Sequence, residues 1–252
     1  MDVPLIHTEK LSKYFGGVRA VQEVTLDLWH NEILGLVGDN AAGKSTFLKT
    51  LAGLYSPTSG QIFMEGRELK FRTPADARKL GIEMIYQDFA LCPNLDVPSN
   101  LFLGREITKR VGLLEISDRS KMEEESIKRL GEIGITVPSI KTKARFLSGG
   151  QQQAVAIGRA LVFGPKVVLM DEPLANMSQS AREKILAVIQ DLRARGISII
   201  LVSHVLIDVF AIADRIAVLR FGRLVADKLK NETTTQEIAT TMHGIETKAF
   251  QF

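Results

Sequence analysis

Cysteine is nearly absent from the sequence: Cys92 stands alone among 252 residues. No internal disulfide can form, which excludes a disulfide-stapled scaffold and suits a reducing compartment. Long apolar runs are missing too. The run at 197–202 (ISIILV) is far shorter than the ~18–20 residues that cross a bilayer as a helix. The opening stretch, 1–10, carries Asp2 and Glu9 and lacks the basic start and apolar core of a secretion signal. Charge of one sign is scarce: 32 basic side chains against 29 acidic ones leave a formal net charge of +3. A surface built chiefly for nucleic acid is therefore not expected. Internal repeats and low-complexity segments are also lacking. What is present is 45% hydrophobic and 24% charged, the balance of a globular protein long enough to bury a sizeable core. That excludes a disordered tail and a collagen-like fibre.

Short β-rich runs alternate with amphipathic helices, which predicts an α/β sheet protein. Residues 24–29 alternate apolar and polar, as a half-exposed strand does. Residues 32–37 (EILGLV) are nearly all apolar, as a strand covered on both faces should be. Further strands are predicted at 61–64, 82–86, 166–170 and 197–202, with a hairpin at 215–219 and 223–226. Helices are predicted at 44–52, after the Thr73-Pro74 start signal, and at 180–195, where Ile185, Ile189 and Leu192 share one face. From about Asp88 to Ser148 no buried-strand signal occurs. A charged helix at 118–132, with Met122, Ile127, Leu130 and Ile133 at roughly helical spacing, marks this stretch as a helical insertion. After Lys228 the chain reads as a short polar tail.

Three motifs carry chemistry. Gly38-Asp39-Asn40-Ala41-Ala42-Gly43-Lys44-Ser45, followed by Thr46, fits G-x-x-x-x-G-K-[ST], with a buried strand before it and a helix after it. Such a loop aims backbone N–H groups at a polyphosphate, aided by the positive end of the helix. Lys44 can reach the β- and γ-phosphates, and the Ser45 hydroxyl can ligate Mg²⁺. The motif predicts binding of a nucleoside triphosphate. Residues 167–172 form a second motif, a buried strand ending in Asp171 and Glu172. Alternation points the two carboxylates apart, so Asp171 can hold a metal's water shell while Glu172 polarises an attacking water. The third motif is Ser148-Gly149-Gly150-Gln151 at the start of a helical run, a second bare helix end suited to an anion.

In their order along the chain (38–46, 147–151, 167–172), and with Gln87 and His204, these segments resemble the ATP-binding subunit of an ABC transporter over about residues 5–228. The resemblance implies a P-loop NTPase (RecA-like) α/β core with an antiparallel β subdomain and an inserted α-helical subdomain. The chain is then one ABC ATPase domain: 1–87 plus 160–228 as core, 88–159 as helical subdomain and 229–252 as tail. It implies that Gln87 contacts Mg²⁺ and the water, that His204 contacts the γ-phosphate, and that Phe15, with Tyr14 as the alternative, stacks on adenine. It also implies a head-to-tail homodimer in which each ATP lies between one subunit's phosphate loop and the other's Ser148-Gly149-Gly150.

Segments 86–88, 100–106 and 151–161 are similar to the single-cassette ATPases of bacterial monosaccharide importers. That adds transmembrane permease subunits as partners, indirectly a sugar-binding protein, and a place at the cytoplasmic face of the membrane. The alternatives are a non-catalytic nucleotide-gated interaction module and a non-transport ABC ATPase. Two departures stand out: Ala41 where the family usually has glycine, and residues 174–178, where a threonine and a leucine-bearing loop are more usual.

Overall fold

The structure, a computed structural model, describes residues 3–71, 73–132, 134, 136–175 and 177–244. In chain order the first half comprises β1 (Ile6–Phe15), β2 (Val18–Leu28), β3 (Ile33–Val37), α1 (Lys44–Leu51), β4 (Ser59–Met64), β5 (Arg67–Glu68), α2 (Pro74–Lys79) and β6 (Ile82–Ile85). A helical stretch follows: α3 (Val97–Leu101), the strands β7 (Thr108–Val111) and β8 (Leu114–Ser117), α4 (Arg119–Glu132) and α5 (Gly149–Leu161). The last third holds β9 (Val167–Asp171), α6 (Gln179–Ala194), β10 (Ser198–Val202), α7 (Leu206–Ile212), β11 (Arg215–Arg220), β12 (Arg223–Leu229) and α8 (Thr235–His243).

The central sheet has the order β12-β11-β3-β10-β9-β6, parallel except for β12 at its edge. Strands β3, β9 and β10 in its middle are buried at every position, as the uninterrupted apolar runs required. Side chains of β3 divide between two cores: Ile33 and Val37 pack with α5, α6 and α7, and Leu34 and Leu36 pack with α1 and the second sheet. That second sheet, β2-β1-β4-β5, is antiparallel. The register pairs Val202 with Leu36 and Asp171, and Ile85 with Met170. The carboxyl ends of β3, β6, β9 and β10 thus lie along one edge, where open α/β sheets hold their ligands.

Several elements differ from the expectation. In α4 the buried stripe is Met122, Ser126 and Leu130, and Ile127 is exposed. Ser126 fits inside because its hydroxyl donates to the Met122 carbonyl at 2.6 Å. Ile133 lies outside the described residues. The helical stretch also contains the β7–β8 hairpin, exposed at all its strand positions, so no face of it imposes an apolar alternation. The division expected at 159/160 falls inside α5, which runs unbroken across it. Past Lys228 the chain is no plain polar tail: Thr234 caps α8, and its Ile238 and Met242 are buried in the core.

Candidate active site

The loop after β3 owes its path to two glycines. Gly38 takes φ 153° and Gly43 φ 100°, and a Cβ at either would come within 2.2 Å of a carbonyl oxygen, Leu219 and Ala20 respectively. Between them Ala41 is left-handed, φ 65°, a conformation that costs a non-glycine residue about 1–2 kcal/mol. The Lys44 ammonium is buried and donates to the carbonyls of Gly38 at 2.6 Å and Asp39 at 2.9 Å. Burial lowers its pKa, against the nearby carboxylates of Glu172, Asp171 and Asp39, which raise it. A cation held over its own loop by carbonyls alone is poised to exchange them for phosphate oxygens.

The two carboxylates at the end of β9 do diverge. Asp171 points inward, 3% exposed, and accepts from the Ser45 hydroxyl at 2.9 Å. Burial raises its pKa, opposed by the Ser45 hydrogen bond and the charges of Lys49 and Lys44. Glu172 leaves the strand in the left-handed region, φ 50°, with its N–H bonded to the Val202 carbonyl at 3.0 Å. That turn sets its carboxylate 2.9 Å from His204 Nδ1, just beyond β10.

A cleft of about 780 Å³ gathers Phe15, the loop from Asn40 to Thr46, Gln87, Glu172 and His204. Gly38 and Asp39 form the start of the loop, and Asp171 lies behind Ser45. Between the two aromatics considered for the base, it is Phe15 that lines the cleft, its ring edge-on to Tyr55 at 5.1 Å. The residues present suit a hydrated divalent cation: one hydroxyl and one buried carboxylate side by side. Among the described residues no group of three His, Cys, Asp or Glu could hold a metal. Mg²⁺ keeps several waters and takes few carboxylates beside phosphate oxygens, so the Ser45 hydroxyl and the Asp171 carboxylate are a donor set that fits it.

The Ser148 motif is not in this cleft. Ser148 accepts from the Gln151 N–H at 3.4 Å, and its own N–H donates to Gln151 Oε1 at 2.9 Å. This reciprocal cap leaves the end of α5, which starts at Gly149, free of acidic side chains in its first turn. Ser148, Gly150 and Gln151 line a different cavity, about 840 Å³, beside α4 and α6. In the segment 174–178, Leu174 is buried and Ser178 caps α6, while Asn176 lies outside the described residues.

Phe221 was not anticipated. It is 79% exposed and lines the cleft from the β11–β12 turn. The Gln22 side chain donates to its carbonyl at 2.7 Å, and the Gly222 N–H donates to Ala42 at 3.0 Å. In the sequence the pair Phe221-Gly222 signals a turn, and nothing in that signal says which loop the turn will meet.

A family model for ABC transporters matches residues 21–175. The chain is 41% identical to the xylose/arabinose import ATP-binding protein XylG of Sulfolobus acidocaldarius, over 94% of this chain and 93% of that protein. It is 43% identical to the fructose import ATP-binding protein FrcA of Rhizobium meliloti, over 87% of this chain and 86% of that one. The ribose import ATP-binding protein RbsA of Caldanaerobacter subterraneus is 37% identical over 97% of this chain, which spans 49% of that longer protein. Among solved structures, a nucleotide-free ATP-binding cassette from an ABC transporter matches with a TM-score of 0.81 at 26% identity, over 95% of each chain. The ADP conformation of the cassette MJ1267 gives a TM-score of 0.78 at 26% identity, with the same coverage. The two-sheet α/β architecture with its helical insertion is theirs as well.

Proposed function

The chain belongs to the ABC transporter family, and from that membership we propose that it hydrolyses ATP to power the uptake of a simple sugar through separate permease subunits. The observation that carries the catalytic half is the Glu172–His204 contact, 2.9 Å, in the cleft that also holds Lys44, Ser45 and Gln87. The solute class rests on relatives named for import of xylose/arabinose, fructose and ribose.

Lys44 exchanges the carbonyls of Gly38 and Asp39 for the β- and γ-phosphates, while the loop's N–H groups and the start of α1 hold the remaining oxygens. Phe15 offers its face to the base. Ser45 and Asp171, with Gln87 in the same cleft, would hold Mg²⁺, which when bound neutralises charge developing on the phosphates. Glu172 orients the attacking water and draws its proton, and His204 steadies that carboxylate from the γ-phosphate side. Ser148, Gly149, Gly150 and Gln151 then serve a second copy of the chain, closing over its nucleotide in a head-to-tail homodimer. Among the described residues no helix is long and apolar enough to cross a membrane. The pathway is assigned to the permease subunits, with this chain at their cytoplasmic face and a sugar-binding protein delivering the solute.

Phosphate release from Mg-ATP at micromolar protein tests the catalytic half. Glu172→Gln should still bind ATP, accumulate as an ATP-bound dimer and turn over roughly 10²–10⁴-fold more slowly. Undiminished hydrolysis removes Glu172 from its role. The transport half is tested by uptake of a labelled pentose or hexose in cells carrying the chain with its permease. Uptake that survives Lys44→Ala overturns it.

A further inference from the structure

Just past Gln87 the chain makes a turn that few side chains tolerate. Phe89 and Ala90 are consecutive left-handed residues, φ 59° and 47°. The Phe89 N–H bonds to the Tyr86 carbonyl at 3.1 Å and the Ala90 N–H to the Asp88 carbonyl at 2.7 Å. The carbonyls of these two strained residues converge on one guanidinium. Arg159 Nη2 donates to Phe89 at 3.0 Å and Nη1 to Ala90 at 2.6 Å. The neighbouring Arg105 is paired instead with Glu83 at 2.7 Å. No carboxylate among the described residues forms an ion pair with Arg159, so this half-buried cation is spent on the backbone of one turn. Lysine is a poorer replacement there, because it offers a compact ammonium on a flexible stem in place of a rigid planar fork with two parallel donors.

Arg159 stands in the last turn of α5, the helix that Ser148 caps at its other end. Arg159 lies eleven steps along the helix from Ser148, about 16 Å at ~1.5 Å per residue. A single rigid rod therefore carries the anion-ready Ser148 terminus at one end and grips the Gln87 turn at the other. We propose that Arg159 is a positioning residue that locks Gln87 to the Ser148 helix. Seating Ser148 on the nucleotide of one subunit then sets Gln87 in its own subunit's cleft, which couples the two nucleotide sites. This rests on the roles given above to Gln87 and Ser148.

Steady-state hydrolysis, ATP affinity and thermal melting are compared for Arg159→Gln, Arg159→Lys, Gln87→Ala and the double variant Arg159→Gln/Gln87→Ala. In Arg159→Gln, kcat should fall roughly ten- to hundredfold while ATP affinity stays within about twofold, the signature of a displaced group and not of a lost binding contact. Arg159→Lys should fall between it and the wild type. The double variant should be no slower than Gln87→Ala alone, because both changes remove one function. Losses that multiply in the double variant, or an unchanged kcat in Arg159→Gln, overturn the proposal and leave the role of Gln87 standing. Wild-type turnover in Gln87→Ala overturns both. Should Arg159→Gln fail to fold, Arg159→Lys in the same two backgrounds separates the same outcomes.

Discussion

Ala41 holds a backbone conformation that its own methyl group disfavours. It is exposed and left-handed at φ 65°, so the side chain adds strain without burying apolar surface. Replacing it by glycine removes about 1–2 kcal/mol of strain and gives back about 0.4–1 kcal/mol through a more flexible unfolded chain. Ala41→Gly should therefore raise Tm by a few degrees in a thermal melt; a lower Tm would mean that the methyl group is useful. Asp171 poses a second question at this scale, because burial raises its pKa in the folded protein. A carboxyl raised on folding stabilises the fold while protonated, and that contribution is lost as pH rises through the raised value. Above that raised value its buried charge is a net cost in the nucleotide-free protein. Asp171→Asn keeps an oxygen for the Ser45 hydroxyl and removes the charge. The variant should melt above the wild type near neutral pH, by a margin that narrows on acidification, while Mg-dependent hydrolysis collapses. A variant that melts lower near neutral pH would show that Asp171 stabilises the empty site.

Among the elements, β11 is anchored by a charge at its first residue. Arg215 is buried, donates from Nε to Glu32 at 2.7 Å and from Nη1 to both carboxylate oxygens of Asp227 at 2.7 and 2.6 Å, tying the strand to the start of β3 and to β12. Arg215→Met would leave Glu32 buried without its cation, a loss that typically costs about 3–5 kcal/mol. Denaturant titration should show it as a lower midpoint at unchanged slope; a stability within about 1 kcal/mol of wild type would mean that water reaches Glu32. This hub could not be read from the sequence, since its members lie in three separate segments. What could be read was periodicity: the buried face of α6 is Ile185, Ile189 and Leu192, as their spacing required. The same method misjudged Ile127, because a serine that bonds its own helix satisfies burial as well as an aliphatic side chain does. It passed over α8 because two apolar residues, Ile238 and Met242, make too short a stripe to stand out from threonines. The phosphate loop was legible because its function depends on the order of residues along the chain. Phe221 was not, because its place in the cleft depends on which turn meets which loop.

At the scale of the whole molecule the parallel sheet delivers the phosphate loop, Gln87, Glu172 and His204 to one edge, whereas Ser148, Gly150 and Gln151 line another cavity. Each chain thus carries a nucleotide cleft and, elsewhere, a helix end capable of covering one. If the cover comes from a second copy, nucleotide binding and hydrolysis must respond differently to dilution. Binding by Lys44 and its loop belongs to the single chain, while hydrolysis belongs to the pair. Turnover per chain should therefore rise with protein concentration in the dilute range and level off once pairing saturates. Ser148→Arg should leave the affinity of the dilute chain for a fluorescent ATP analogue unchanged, yet lower plateau turnover about a hundredfold or more, the effect of losing an oriented charge-stabilising group. Turnover per chain that stays constant on dilution, or a Ser148→Arg chain that binds nucleotide poorly while still monomeric, would return Ser148 to its own chain's cleft and dissolve the shared site.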